Sequence, residues 1–72
     1  MNTSLLKYLV SLAENEVNAI NTKALFEKYP REVYSSDLYS LERMGFISIL
    51  SGNNRILEIG VNQKAIDYVA KL

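Results

Sequence analysis

Apolar residues follow two rhythms along this chain. Up to Gly45 most of them recur three and four positions apart, whereas from Phe46 to Val61 they crowd into short β-branched and aromatic runs. Leu5, Leu6, Leu9, Leu12 and Ala13 share one helical face and predict a first helix over about 4–14, capped by Ser4 or Thr3 through a hydroxyl that accepts a free backbone N–H. Val17, Ala19 and Ile20 then stand too close together for a helical face, and the stretch 16–21 predicts a brief edge strand. Thr22 is the expected cap of a second helix, Lys23 to Tyr29, with Ala24, Leu25 and Phe26 turned inward. Pro30 disfavours helical geometry at Tyr29 and ends it. A third helix is expected from Glu32 to Met44, its inner face made by Tyr34, Leu38 and Leu41. Gly45 is the natural stop, because glycine takes the left-handed position after a helix without steric cost.

Beyond Gly45 the pattern becomes that of a hairpin. The runs Phe46–Leu50 and Arg55–Val61 flank a turn cluster, Ser51-Gly52-Asn53-Asn54. Asn62 is placed to cap a last helix, Gln63 to Lys71, with Ala65, Ile66, Val69 and Leu72 on one side. The expected fold is therefore α+β, one domain over 1–72, in the order helix, short strand, helix, helix, β-hairpin, C-terminal helix.

Composition narrows what such a domain can do. A hydrophobic share of 49% suits a packed chain. With no cysteine and no histidine, neither disulfides nor a cysteine or histidine zinc site can staple it. No phosphate loop is visible and the carboxylates are scattered singly, so the expectation is a protein that is not an enzyme and takes no cofactor or metal. Eight basic and eight acidic residues cancel, which removes the basic excess typical of nucleic-acid binders. The N-terminus has no charged leader region and Lys7 interrupts the apolar run behind it. A cytoplasmic protein with no membrane partner is expected.

Three segments carry a resemblance. Leu25-Phe26-Glu27-Lys28-Tyr29-Pro30-Arg31-Glu32 has the length of a helix–turn–helix joint. Leu38-Tyr39-Ser40-Leu41-Glu42-Arg43-Met44-Gly45-Phe46-Ile47 looks like the end of a recognition helix, two leucines preceding a glycine and an apolar pair. Ile59-Gly60-Val61-Asn62-Gln63-Lys64-Ala65-Ile66-Asp67-Tyr68-Val69 is similar to an exit from a wing into a final helix. In this order they resemble the winged helix-turn-helix superfamily, which includes the arsenic-responsive and multiple-antibiotic-resistance repressors of bacteria. Departures are Phe26 where the family puts a small residue, Pro30 where glycine is common, and Glu32 where serine or threonine begins the recognition helix.

The resemblance implies a function. In a winged helix that reads DNA, the exposed face of the third helix enters the major groove. Here that face would be Ser35, Ser36, Tyr39, Ser40 and Arg43, with Arg31 near its start and Arg55 on the wing reaching minor groove or backbone. Lys23 and Lys28 could add phosphate contacts. Residues 30–45 hold Arg31 and Arg43 against Glu32, Asp37 and Glu42, so one protomer would bind double-stranded DNA weakly. A homodimer is expected to double the contacts, joined through the terminal helices, because the apolar stripe of the first helix is wider than one core face needs. Two readings remain: a small dimeric bacterial or phage transcription regulator, or a winged-helix module that binds protein instead, as an anti-repressor, inhibitor or adaptor. Neutral charge and Glu32 favour the second; the serine-rich face and Arg55 favour the first.

Overall fold

The structure, a computed structural model, describes residues 2–28, 31–50 and 58–72; the side chains of Ala24, Phe26, Lys28, Arg31, Glu32, Val33 and Tyr34 lie outside that description. The chain is α+β. Its elements run α1 (Thr3–Leu12), β1 (Asn18–Asn21), α2 (Lys23–Lys28), α3 (Arg31–Arg43), β2 (Ile47–Ile49), β3 (Glu58–Val61) and α4 (Gln63–Ala70). The turn expected at 51–54, the start of the second hairpin run and Arg55 lie outside the described residues, as do Tyr29 and Pro30.

One antiparallel sheet joins the strands in the order β1-β3-β2. Ile20 pairs with Ile59, which pairs with Ile49, so three isoleucines cross one face in a row. Ile47 and Val61 form the next pair on that face. The opposite face carries Ala19, Gly60 and Ser48 in one row. Period-2 alternation thus turns the branched side chains to the helices and the small or polar ones outward. The edge strand expected at 16–21 begins only at Asn18. Val17 precedes it and stands 61% exposed, and Ala19 faces outward, leaving Ile20 as the buried anchor.

The helices close over the isoleucine face. Leu5, Leu6, Leu9, Val10 and Ala13 are all buried, together with Leu25, Leu38, Leu41 and Ala65. The wide stripe of α1 that suggested a second face is therefore taken up inside one chain, with only Leu12 half-buried. Leu72, expected on the inner side of the last helix, lies beyond its end and is 59% exposed.

Two caps differ from expectation. The first helix begins a residue earlier than expected, so its cap is Asn2 and not Ser4 or Thr3: the Asn2 side chain accepts the Leu5 N–H at 3.0 Å. Asn62 sits at the cap position of α4, but its side chain makes no cap bond and reaches back to Gly45 instead. Before α2, the Asn21 carboxamide oxygen accepts the Lys23 N–H at 2.8 Å, a local turn of the kind asparagine favours. Thr22, between them, is fully buried.

Candidate nucleic-acid interface

The third helix starts one residue before and stops one residue before the expected span. Leu38 and Leu41 are fully buried and fix which side of α3 looks out. Ser36, Tyr39 and Arg43 follow one another at helical spacing on that outer side, and all three are exposed, Tyr39 by 45%. Ser35 and Ser40 flank this stripe and are half-buried. Arg31 is the first residue of α3, and its side chain is not described; Arg55 is outside the described residues altogether. The structure thus brings Ser36, Tyr39 and Arg43 together, with Ser35 and Ser40 at the margins.

Two acidic residues of α3 lie off the stripe and have structural partners. Asn2 Nδ2 donates to Asp37 Oδ2 at 3.0 Å, tying the start of α1 to the middle of α3. The same asparagine therefore caps its own helix with one side-chain atom and holds a neighbouring helix with the other. Glu42 Oε2 accepts the backbone N–H of Ile49 at 2.8 Å. In the sheet, Phe46 and Leu50 turn their backbone groups toward β3, through Asn62 N–H to Phe46 O and Leu50 N–H to Glu58 O. By the alternation of an antiparallel ladder, Ile49 points the other way, to the free edge of β2. Glu42 thus occupies an edge donor that would otherwise be open.

The end of α3 is tied down three times over. Gly45 takes φ 83°. Its N–H donates to Glu42 O and the Phe46 N–H donates to Leu41 O, both at 3.0 Å, which is the paired closure that ends many helices. The next carbonyls are met from α4: Lys64 Nζ donates to Met44 O, and Asn62 Nδ2 donates to Gly45 O at 3.1 Å. A cation at the carboxyl end of a helix also opposes its dipole. Lys64 lies 5.0 Å over the Phe46 ring, whose centroid is 5.1 Å from that of Tyr68 with the planes tilted by 51°. This clamp holds the chain just after α3 to the start of α4.

Sequence reasoning missed these polar partners. Asparagine before an apolar helical run is a strong cap signal, and Asn2 could have been weighed against Ser4 on that ground. Nothing local marked Glu42 for Ile49, or Lys64 for Met44. Among the described residues there is no cluster of acidic side chains that could hold a metal ion, and no helix is long and apolar enough to cross a membrane. No protein-family model matches the chain, and neither does a curated protein or a solved structure.

Proposed function

We propose that this chain is a winged-helix DNA-binding protein, a small transcription regulator in which α3 is the recognition helix and β2 and β3 form the stem of the wing. One observation carries the reading. The outer stripe of α3 presents Ser36, Tyr39 and Arg43, while Asp37 and Glu42 are drawn aside to Asn2 and to the Ile49 N–H. Asp37 and Glu42 thus add less repulsion along that stripe than the charge count of α3 suggests, whereas Glu32, whose side chain is not described, stays in the count. Serine and tyrosine supply hydroxyls for base edges and phosphates, and Arg43 supplies a cation at the carboxyl end of the stripe. With one exposed arginine on the described stripe, affinity per protomer is low, and two protomers acting together are part of the proposal.

The test is an anisotropy titration of mixed genomic fragments at about 50 mM and about 150 mM salt, where phosphate contacts show as a steep loss of affinity. The wild type binds at the lower salt and weakens at the higher. Arg43→Ala weakens binding on every fragment and makes the salt dependence shallower by about one contact per protomer. Ser36→Ala changes the ranking of fragments more than the mean affinity. A wild type that does not bind at the lower salt overturns the proposal.

The second reading, a protein-binding winged helix, is favoured by the zero net charge and by the 45% exposure of Tyr39. Tyrosine is enriched among interface anchors. Under that reading the wild type ignores DNA, and Tyr39→Ala abolishes capture of the partner while the fold survives.

A further inference from the structure

We infer that the outer edge of β1, which no other strand among the described residues covers, is a self-pairing surface, on which a second copy of this chain adds its own β1 antiparallel to form a six-stranded sheet. The two outer strands of the sheet are treated differently. The outward N–H of Ile49 on β2 is occupied by the Glu42 carboxylate. On β1 the ladder alternation assigns Asn18 and Ile20 to β3 and leaves Ala19 pointing outward, because its partner Gly60 turns its backbone groups to β2. Val17, Asn18, Ala19 and Asn21 are all exposed, and the segment 17–22 contains no charged residue and no proline. Those are the usual devices that keep an edge strand from pairing.

Charge selects the occupant. Glu14 and Glu16 stand before β1, Lys23 stands after it, and all three are exposed. In an antiparallel pair centred on Ala19 facing the partner's Ala19, Val17 falls opposite the partner's Asn21. Lys23 then arrives beside the partner's Glu14 and Glu16. The two-fold axis repeats the match, so each copy supplies acid at one end and base at the other. A parallel arrangement would oppose like charges. The sheet order places this edge two strands, roughly 10 Å, from β2, whose outer edge Glu42 of α3 covers. The outer stripe of α3 stays open in such a pair. The inference goes beyond the DNA reading and does not depend on it.

Sedimentation velocity on the full chain, without nucleic acid, tests it over about 5 to about 500 µM, the regime of a small interface. The wild type moves from an 8.2 kDa monomer toward a dimer as concentration rises. Ala19→Pro stays monomeric with an unchanged far-ultraviolet circular dichroism spectrum, because the lost N–H is the outward one. Lys23→Glu weakens association about tenfold, and adding Glu14→Lys with Glu16→Lys restores it. These three changes leave β1 untouched and suit the helix ends they sit at, so they decide the matter if Ala19→Pro fails to fold. Leu72→Glu, at the end of the chain, leaves association unchanged. A wild type that is monomeric throughout overturns the pairing and leaves the α3 reading to its own titration. So does a Lys23→Glu variant that associates like wild type, or loss of association in Leu72→Glu.

Discussion

The first and third helices end with the same hydrogen bonds but not the same residue. After α3, Gly45 N–H and Phe46 N–H return to Glu42 and Leu41. After α1, Glu14 N–H and Asn15 N–H return to Ser11 and Val10 at 3.0 and 3.1 Å. At α3 the left-handed position is held by glycine, at φ 83°. At α1 it is held by Glu14 at φ 59°, followed by Asn15 at φ 60°. Asparagine visits this region readily, but glutamate has no such ease. The α3 end is also clamped: Met44 and Gly45 are exposed, but Phe46 after them is in the core, and their carbonyls are tied to Lys64 and Asn62. After the buried Ala13, the α1 end is an exposed turn, Glu14 to Val17, leading into the edge strand β1. The closure that leads from α3 into the core at Phe46 is built without backbone strain, and the one that leads from α1 into an exposed turn tolerates it.

Mutations can break or sharpen this contrast. The largest effect is expected at Leu41, whose side chain is fully buried in the core just before the closure of α3, while its backbone carbonyl accepts the Phe46 N–H whatever the side chain. Leu41→Ala should lower stability by about 2–5 kcal/mol, read by chemical denaturation, and on a domain this small that would unfold much of the population. A nearly unchanged midpoint would mean that the Leu41 side chain does not pack in the core as described.

Gly45→Val comes next. A side-chain carbon there would meet Lys64 no closer than 3.7 Å, so space is not the obstacle; the backbone angle is. The expected loss is about 2 kcal/mol, and Gly45→Asn should lose clearly less because asparagine tolerates the left-handed region. Equal losses for the two would show that the angle is not what selects glycine.

The smallest effect has the opposite sign. Glu14→Gly removes the strained side chain while keeping the turn, and should raise stability by about 0.5–1 kcal/mol, seen as a higher thermal midpoint. A loss would mean that Glu14 contributes a contact that outweighs its backbone geometry.

These two helix ends also mark how far the sequence can be read. Gly45 is legible as a stop because a glycine directly after an apolar helical stripe fits the left-handed position that closes a helix. The end of α1 is not legible to the residue, because Glu and Asn carry no comparable signal: periodicity predicts about 14, and the helix ends at Leu12. On the candidate site, Ser36, Tyr39 and Arg43 are legible as a face by counting from Leu38 and Leu41. The half-burial of Ser35 and Ser40 is not, because the width of the open stripe depends on what packs alongside it.

By itself, the sequence determined the order of elements, the buried leucines of α1 and α3 and the change from helical to strand rhythm after Gly45. Those follow from local sterics and from the periodicity of apolar side chains, which act over a few residues. Only the tertiary structure decided the polar partners. Asn2 meets Asp37 across 35 positions, and Lys64 meets Met44 across 20. Glu42 meets the Ile49 N–H at a strand edge seven positions on. A polar side chain has the same place in the helical period whether it is solvated or bonded. Its partner exists only once the chain has closed and brought distant positions within hydrogen-bond reach.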